Sequence, residues 1–545
     1  MKTAHRFAPI ADRPLTSDGE PFRVLVTDDI GQAGLQHLQA RTHLEVRSDL
    51  EEDALIAHIG GRDALVVRSR TRVTQRVIEA ADRLRVIVRA GVGTDNIDLD
   101  AATRAGILVI NTPDSSVRAT AEHTIAMLLA LCRNIPQAHA SVVRGEWQRE
   151  RFVGTEIYGK TLGVVGLGRI GGQVARLAGA LGMRVIAHDP YVTEDRAAQS
   201  GATLVPLDRL WAESDFITLH LPLNTQTRGT IDRHVLWNIK PGVRIVNCAR
   251  GGLIDEAALH EALEDGRVAG AALDVFESEP PLDRRLIDHP RVIATPHLGA
   301  STREAQEAIG LDAAEQLLQA LEGRLPRGTV NVAALRPEAW ERLAPHLELA
   351  RVLGALARQL GPGPAEVVEV RLEGELASAE PSLLTSSVLA GLLGGVTAQT
   401  VNLVNAPLVA SERGLRVVES RQDSSDDFAS LMVVTARTGV GELSLAGTLF
   451  GHREPRIVRI GEYRIDLAPA AHMLFAWNTD RPGMIGRVGT ILGRFGVNIA
   501  GMHLGRQNPG GVAVMVLTLD DPVPAAAVAE IQSVDGIYDV KVAQL

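Results

Sequence analysis

The chain has almost no cysteine. Cys132 and Cys248 are the only two among 545 residues, and they lie far apart in sequence. Two isolated cysteines supply neither a disulfide framework nor a metal-binding cluster. The sequence therefore predicts no metal site, and it fits a reducing, cytoplasmic compartment.

Long apolar runs are also missing. The nearest candidate, Ser386–Ala410, is interrupted by Gln399, Asn402 and Asn405, so we expect it to be buried core and not a membrane span. The N-terminal Met1–Phe22 has prolines and charges but no apolar segment of the kind found in secretion signals. We interpret residues 1–22 as a flexible tail and predict no membrane partner.

Lysine is scarce, so almost all of the positive charge is arginine. The net charge is −10, only four lysines occur, and no long basic run is present. Nucleic acid is therefore not a predicted partner. The length of 545 residues suggests about three or four domains, and the apolar fraction of 45% is enough for large folded cores.

One glycine-rich stretch organises the first half of the chain. Thr161–Val165 has the apolar pattern of a buried strand, and it runs into a G-x-G-x-x-G motif at residues 166–171. A helical pattern follows, and then a second apolar run, Arg184–His188, which ends on Asp189. A strand, a glycine turn, a helix and a second strand ending in an acid predict a dinucleotide-binding unit.

Each residue of this unit has a physical task in that interpretation. Gly166 allows the tight turn, Gly168 lets backbone N–H groups approach a pyrophosphate, and Gly171 lets the helix lie close to the sheet. Asp189 would bind the ribose hydroxyls and repel a 2′-phosphate, which favours NAD over NADP. The alternative is a purely structural glycine turn.

The rest of the first half also alternates strands with helices, which predicts parallel sheets with ligands beyond the carboxyl ends of the strands. Thr120–Arg133 and Ser301–Leu321 have helical patterns that would carry the chain out of the first lobe and back into it. In that lobe the residues expected at strand ends are Arg68, Ser69, Gly91, Val92, Gly93 and Asn111.

Three ionisable residues follow the glycine motif at predicted strand ends. His297 suits a base that takes a hydroxyl proton, because its unperturbed pKa lies near neutrality. Glu279 suits the group that orients this imidazole, and Arg250 suits the cation that binds a substrate carboxylate. Taken singly, each has a structural alternative as a loop, turn or capping residue. Together they predict hydride exchange with a 2-hydroxy acid.

The last block has a different pattern. Its strands and helices read strand, helix, strand, strand, helix, strand, which is a ferredoxin-like βαββαβ module. The expected fold is thus α/β: two Rossmann-like, doubly wound parallel-sheet lobes, an α+β intervening domain, and the ferredoxin-like module. The expected domains are 23–119 with 298–330 (substrate), 120–297 (NAD), 331–465 (intervening) and 470–545 (regulatory).

Several motifs now point to one family. Val165–Gly171, Asn247–Gly252, Ala272–Pro280 and Thr295–Ala300 resemble the signature blocks of D-isomer-specific 2-hydroxyacid dehydrogenases, and the likeness spans roughly Val24 to Asn331. The resemblance implies that Arg250, Glu279 and His297 are catalytic. The NAD contacts that it implies are Arg169, Ile170, Asp189, Cys248, Ala249, Arg250, Asp274, His297, Leu298, Gly299 and Ala300. Val92 and Leu221 occupy two further NAD-contact positions, where relatives can carry threonine.

Within that family, Val67–Thr71, Arg89–Asn96 and Asn111–Pro113 resemble the members that act on D-3-phosphoglycerate. A phosphorylated substrate needs another cation, and Arg68 is the first candidate. Arg149 or Arg151 could contribute from a second subunit, although a solvated basic loop is an equal alternative. The resemblance also implies a dimer, extended to a tetramer through the C-terminal blocks.

The C-terminal blocks carry their own resemblance. Asn478–Gly486 and Gly496–Ala500 resemble an ACT domain, which implies L-serine as effector, with Asp480 and Asn498 in its site. An ACT fold that only dimerises is the alternative. Gly395–Gly414 resembles the intervening domain of the long form of these enzymes. A basic set there could bind an anion, but a solvated face is favoured: Arg453, Arg456, Arg459 and Arg464.

The expected function is NAD-dependent oxidation of D-3-phosphoglycerate to 3-phosphooxypyruvate, the first step of L-serine biosynthesis. One alternative is another D-2-hydroxyacid dehydrogenase, such as a glyoxylate or hydroxypyruvate reductase. The other is a binding protein that senses NAD without catalysis.

Overall fold

The structure is a computed structural model, and it describes residues 19–48, 50–333, 337–396, 400–425, 427–451 and 453–545. Residues 1–18 of the predicted tail therefore lie outside the described residues. Within that predicted tail, Phe22 is buried and belongs to the core of the first sheet.

The first lobe is a sheet of five parallel strands in the order β2-β1-β3-β4-β5. Its three inner strands are almost fully buried on both faces, as strands covered by helices must be, whereas the edge strand His43–Val46 has no buried residue. The strands are β1 (Arg23–Val26), β2 (His43–Val46), β3 (Ala64–Val67), β4 (Val86–Arg89) and β5 (Leu108–Asn111). The helices between them are α1 (Gly31–Gln39), α2 (Glu52–Ile59), α3 (Gln75–Glu79) and α4 (Leu99–Arg104).

Two helices and a 3-10 turn lead to the second lobe: α5 (Val117–Arg133), α6 (Ile135–Val143) and Arg149–Phe152. The second sheet has seven parallel strands in the order β12-β11-β10-β9-β6-β7-β8, so the strand order reverses between β6 and β9. Its strands are β6 (Thr161–Val165), β7 (Arg184–His188), β8 (Thr203–Leu204), β9 (Phe216–Leu219), β10 (Val243–Asn247), β11 (Val268–Leu273) and β12 (Val292–Ala294). Its helices are α7 (Arg169–Ala180), α8 (Glu194–Gln199), α9 (Leu207–Glu213), α10 (Arg233–Asn238) and α11 (Glu256–Glu264).

The chain then returns to the first lobe through α12 (Arg303–Leu321). This helix packs closely on α1, because a Cβ at Gly34 would lie only 2.5 Å from the Gly310 carbonyl oxygen. Beyond it, the Asn331 side chain accepts a hydrogen bond from the Val109 N–H at 2.9 Å. The first lobe is thus assembled from two separate parts of the chain.

The third sheet is mixed, with six strands in the order β14-β13-β15-β16-β17-β18, of which only β13 and β14 pair in parallel. The strands are β13 (Val367–Gly374), β14 (Arg416–Gln422), β15 (Ser430–Thr438), β16 (Gly441–Phe450), β17 (Glu454–Ile460) and β18 (Tyr463–Leu467). Its helices are α13 (Pro337–Leu360), α14 (Pro381–Leu393) and α15 (Ala406–Glu412), and a 3-10 turn spans Glu375–Ser378. The described part of the apolar run 386–410 lies largely in this core, while Gln399 lies outside the described residues.

The last module is an antiparallel sheet in the order β20-β21-β19-β22. Its elements are β19 (His472–Thr479), α16 (Met484–Arg494), β20 (Ile499–Arg506), β21 (Val512–Leu519), α17 (Ala525–Gln532) and β22 (Ile537–Gln544). Its two helices cover one face, whereas Phe475, Val514 and Val516 on the other face share a core with α13. The four sheets confirm the predicted α/β fold class.

No helix within the described ranges is both long enough and apolar enough to cross a membrane.

Candidate active site

A cleft of about 650 Å³ lies between the two parallel-sheet lobes. It opens at the carboxyl ends of β3 and β4 in the first lobe and of β9 and β10 in the second, which is where open parallel sheets bind ligands. Most of the predicted site residues line it: Arg68, Ser69, Gly91, Val92, Gly93, Gly168, Arg169, Ile170, Leu221, Cys248, Ala249, Arg250, Glu279, His297, Gly299 and Ala300.

The remaining residues predicted for the cofactor and the substrate do not line this cleft: Gly166, Gly171, Asp189, Asn111, Asp274 and Leu298. Asn111 supports the wall directly, because its side-chain amide donates to the Val92 carbonyl at 2.6 Å. Its position suits a supporting residue better than a direct substrate ligand.

The glycine turn leaves space for a cofactor at one position and packs tightly at the others. A Cβ at Gly171 would lie 2.0 Å from the Gly166 carbonyl oxygen, so helix and strand meet there without side chains. Gly166 has φ +91°, in the left-handed region. A Cβ at Gly168 would meet nothing within 4 Å, and this open space lies at the N-terminus of α7. These features fit the pyrophosphate of NAD.

Asp189 ends β7 beside this turn. Its carboxylate accepts hydrogen bonds from the N–H groups of Leu167, at 2.8 Å, and Tyr191, at 2.9 Å. The side chain is only partly buried, so it retains acceptor capacity for a ribose hydroxyl. Asp189 therefore shapes the glycine turn, and it keeps the place beside the turn where an acid is expected to face the ribose.

His297 and Glu279 form a hydrogen-bonded pair at the cleft surface. His297 Nδ1 lies 2.8 Å from Glu279 Oε2, and each side chain is 41% exposed. Burial tends to raise the pKa of Glu279, but the hydrogen bond and charge of His297 outweigh it and hold that pKa below its usual range. Because Nδ1 faces a carboxylate, we assign the neutral imidazole a proton on Nδ1, which leaves Nε2 to accept one.

Asp274 holds the turn on which His297 sits. His297 has φ +55°, and its N–H donates to the Asp274 carbonyl at 2.9 Å. The Asp274 carboxylate accepts from the N–H groups of Leu298, at 2.7 Å, and Gly299, at 2.9 Å. Asp274 is fully buried, so in this structure it positions the loop and does not face the cleft.

His123, in helix α5, supports Asp274. It was not among the predicted site residues. Its Nε2 lies 3.2 Å from Asp274 Oδ1. Burial tends to raise the pKa of Asp274, whereas the hydrogen bond from His123 lowers it, and the net shift is downward.

His123, Cys248 and Asp274 bring three potential metal-ligand atoms within 4.8 Å of one another. Burial raises the pKa of the Cys248 thiol to about 12, so the sulfur keeps its proton. Both Asp274 oxygens already accept backbone hydrogen bonds. We interpret the group as a support for the His297 loop.

Arg250 spans the cleft from the second lobe. Its Nε donates to Asp95 Oδ2 at 2.8 Å, and its Nη1 donates to the Ala249 carbonyl at 2.7 Å. Asp95 was not among the predicted site residues. Arg250 therefore contacts both lobes.

Arg89 is a third residue, after His123 and Asp95, that was not among the predicted site residues. It ends β4 and lines the cleft, yet its buried Nε has no hydrogen-bond partner among the described residues. Burial, with the nearby charges of Arg250 and Arg68, lowers the pKa of Arg89 to about 10. The signal that could have found it is its position: Arg89 ends β4 just before Gly91 and Gly93, much as Arg250 follows β10 just before Gly251.

Arg68 is held in place by its surroundings. Its Nη1 donates to the Asp29 carbonyl at 3.0 Å and to the Gln306 side chain, and its N–H donates to Asp28 at 2.6 Å. Burial lowers the pKa of Arg68. Arg68, Arg89 and Arg250 together make the cleft strongly cationic, so it suits a ligand with more than one anionic group.

Arg149 and Arg151 lie outside this cleft. Both are exposed in the 3-10 turn between the lobes, and Arg151 lies over the Phe152 ring. They do not reach the cleft of their own chain.

The predicted effector residues are already bound to other groups in the ACT-like module. Asp480 accepts from Arg506 at 2.8 Å and from the Gly510 N–H at 3.2 Å. The hydrogen bond from Arg506 holds the pKa of Asp480 below its usual range. Asn498 donates to Asp520 at 2.6 Å. Asp480 is thus not a free acceptor for an amino group, since Arg506 occupies it.

In the intervening domain, ion pairs neutralise part of the basic set. Arg456 lies near Glu454 and Asp466, and Arg464 pairs with Asp427 at 2.9 Å. These pairs suit the favoured interpretation of a solvated, charged face.

Three family profiles match the chain in succession. The D-isomer specific 2-hydroxyacid dehydrogenase NAD-binding domain matches residues 125–299. The D-3-phosphoglycerate dehydrogenase intervening domain matches residues 342–461, and the ACT domain matches residues 472–536. The order agrees with the second lobe, the mixed sheet and the antiparallel module.

Relatives extend the match to nearly the whole chain. A D-3-phosphoglycerate dehydrogenase of Synechocystis sp. is 45% identical over 96% of this chain and 95% of its own. One of Methanocaldococcus jannaschii is 45% identical over 96% of this chain and all of its own. The crystal structure of a glyoxylate reductase from Paecilomyes thermophila is 34% identical with a TM-score of 0.53, but it covers 58% of this chain and 99% of that one.

The chain belongs to the D-isomer specific 2-hydroxyacid dehydrogenases, and it is an NAD-dependent oxidoreductase. The relatives named above that match it over nearly their full length are D-3-phosphoglycerate dehydrogenases, and the chain carries the intervening domain of such enzymes and an ACT domain. The family predicted from the sequence motifs is confirmed.

Proposed function

We propose that this enzyme oxidises D-3-phosphoglycerate at C2 to 3-phosphooxypyruvate with NAD, the first step of L-serine biosynthesis. The observation that carries the proposal is the set of three guanidiniums beside the His297–Glu279 pair. A substrate with a carboxylate at one end and a phosphate at the other needs such a spread of cations, whereas glyoxylate carries only one anionic group.

The roles follow from the contacts. The backbone at Gly168, Arg169 and Ile170 would hold the pyrophosphate of NAD, with Asp189 at the ribose. NAD, when bound, supplies the acceptor for the hydride that leaves C2 with its electron pair. His297 Nε2 takes the proton of the C2 hydroxyl, so the alcohol becomes a carbonyl and the imidazole becomes a cation.

Glu279 stabilises that imidazolium, because its carboxylate already lies 2.8 Å from Nδ1. Arg250 binds the substrate carboxylate through the nitrogen that neither Asp95 nor Ala249 occupies. Arg68 and Arg89 bind the phosphate, and the unpartnered Nε of Arg89 supports this assignment.

We also propose self-association through residues 135–158, as a dimer that the C-terminal blocks extend to a tetramer. Large apolar side chains stand exposed along this segment, including Trp147, Val153 and Tyr158, each close to 80% exposed. Arg149 lies in the same segment, so a second copy could bring it to the substrate phosphate.

L-serine is the effector that we propose for the ACT domain. An amino acid offers an ammonium group for Asp480 and a carboxylate for Arg506, and these two side chains form an ion pair in this structure. Binding would replace that pair by two pairs with the ligand. Asn498 would contribute a further hydrogen bond.

A spectrophotometric assay tests the proposal. We expect NADH to form from D-3-phosphoglycerate and NAD, faster than with D-glycerate, and to slow when L-serine is added. Reduction of glyoxylate or hydroxypyruvate without turnover of phosphoglycerate would overturn the substrate assignment. Unchanged rates with millimolar L-serine would overturn the effector assignment alone.

A further inference from the structure

Asp95 is an unexpected residue in a site for a polyanion. Among the described residues that line the cleft, only Asp95 and Glu279 carry carboxylates, and Glu279 is bound to His297. Asp95 is 55% exposed and faces the guanidinium that would receive the substrate carboxylate. A negative charge there repels the substrate, so its presence needs a compensating role.

The hydrogen bonds of Arg250 indicate that role. Asp95 occupies Nε, and the Ala249 carbonyl occupies one hydrogen of Nη1. Nη2 lies over Gly93, where an added Cβ would come within 1.8 Å of it. Two of the three nitrogens are thus fixed by the protein, and the end of the fork that contains Nη2 stays available for a carboxylate.

The ion pair also crosses from one lobe to the other. Asp95 lies in the loop after β4, whereas Arg250 lies in the loop after β10. The next residue, Asn96, anchors the Asp95 loop, because its amide donates to the carbonyls of Arg68 and Thr71, each at 2.6 Å. The Asp95 loop, which binds Arg250, is therefore tied to the main chain of Arg68, a proposed phosphate ligand.

We propose that Asp95 is a positioning residue, which fixes the distance and plane of Arg250 relative to the phosphate-binding arginines across the cleft. The placement relative to the phosphate-binding arginines rests on the proposed function. The control of Arg250 by Asp95 applies to any 2-hydroxy acid that this cleft oxidises.

We expect the loss of Asp95 to leave substrate binding intact or strengthen it, and to slow turnover. Loss of the Asp95 charge removes a repulsion from the bound substrate, so the KM for D-3-phosphoglycerate should fall by about twofold to fivefold, or stay unchanged. Loss of the positioning contact lets Arg250 move, so kcat should fall by about tenfold to a hundredfold. A residue with only a structural role would not separate the two parameters in this way.

The variants are Asp95→Asn, which keeps an acceptor without charge, and Asp95→Ala, which keeps neither. Asp288→Asn is the matched control, because Asp288 has the same 55% exposure, pairs with Arg284 and does not line the cleft. We expect kcat to decrease in the order wild type, Asp95→Asn, Asp95→Ala, with the control unchanged. NADH binding, followed by fluorescence, should be equal in all four proteins and reports on folding.

A second measurement does not depend on turnover. The pairing with Asp95 shields Arg250 from phenylglyoxal, so both Asp95 variants should be modified at Arg250 severalfold faster than wild type, as measured by peptide mass spectrometry. Equal modification rates would show that the ion pair does not hold Arg250 in solution and would overturn the inference.

The kinetic outcomes are equally decisive. Unchanged kcat in Asp95→Ala, or a raised KM with kcat intact, would also overturn the inference. If wild type oxidises another 2-hydroxy acid and not phosphoglycerate, the proposed function fails, and the same kinetic comparison is made with that substrate.

Discussion

The two parallel-sheet lobes each place a glycine-rich turn at the cleft, and they use it in opposite ways. In the second lobe, a Cβ at Gly168 would meet nothing within 4 Å. In the first lobe, a Cβ at Gly91 would lie 1.5 Å from Arg89 Nη1, and one at Gly93 would lie 1.8 Å from Arg250 Nη2. One turn leaves room for a ligand, and the other makes room for the cations that bind a ligand.

We attribute the difference to the ligand proposed for each lobe. A pyrophosphate can be bound by backbone N–H groups at a helix N-terminus, without charged side chains. A small substrate with anionic groups at both ends needs directed guanidiniums, and these must lie close to the backbone to fit in the same cleft. His297, the proposed general base, comes from the lobe that also carries the glycine turn proposed for NAD.

The largest effect should come from His297 itself. For His297→Asn we expect kcat to fall by about a hundredfold to ten-thousandfold, because no group remains to take the hydroxyl proton. NADH binding, measured by fluorescence titration, should stay unchanged. A variant within twofold of wild-type turnover would remove His297 from the proton transfer.

Arg89→Met should weaken recognition of the substrate phosphate and at the same time stabilise the folded protein. We expect kcat/KM for D-3-phosphoglycerate to fall by about tenfold to a hundredfold, through loss of a charge-assisted hydrogen bond of about 1.5–3 kcal/mol. The loss for hydroxypyruvate reduction should be smaller, since that substrate has no phosphate. Because this removes a desolvated cation whose Nε has no hydrogen-bond partner among the described residues, the melting temperature should rise.

A lower melting temperature for Arg89→Met would contradict the view that Arg89 lacks a compensating partner. Equal losses for both substrates would place Arg89 at the carboxylate end of the cleft.

A pair of glycine substitutions tests the comparison of the two turns directly. Gly168→Ala should raise the dissociation constant of NADH by about tenfold, with an unchanged melting temperature, because its Cβ enters space meant for the cofactor. Gly93→Ala should leave NADH binding intact and lower kcat by about tenfold, because it displaces Arg250. If both variants change the same parameter, the two turns do not differ in the way that we infer.

The smallest effect concerns the choice of cofactor. Asp189→Ser should raise the KM for NAD by about threefold to tenfold, through loss of hydrogen bonds of about 0.5–1.5 kcal/mol, and should increase the relative use of NADP. Steady-state kinetics with both cofactors measure this ratio. The Leu167 N–H also loses an acceptor, so the melting temperature of the variant serves as the control for the shape of the turn.

Local patterns predicted much of the fold. The strand predicted at Thr161–Val165 is observed with those bounds, and the helix predicted at Thr120–Arg133 is observed as Val117–Arg133. Both have a strong apolar pattern. The short strand His43–Val46 was not predicted, because its residues are mostly polar and its place depends on pairing with β1.

Contacts between distant parts of the chain also limited the prediction of the residues around the cleft. His297 and Arg250 could be predicted because their motifs are local in sequence. Asp95 and His123 could not, since their importance lies in contacts with Arg250 and Asp274, each about 150 residues away along the chain. The effector prediction omitted Arg506 for the same reason, because its ion pair with Asp480 joins the end of one strand to the loop after another.

The sequence by itself determined the class of chemistry. A glycine motif followed by an acid predicts dinucleotide binding. An arginine, a glutamate and a histidine in that order predict hydride exchange with a 2-hydroxy acid. Both predictions were possible because each function requires particular residue types close to the ends of strands. Only the tertiary structure decided which cations line the cleft and what holds them. The electrostatics of a cleft depend on distance and burial, and folding brings Arg68, Arg89, Asp95 and Arg250 together from two lobes.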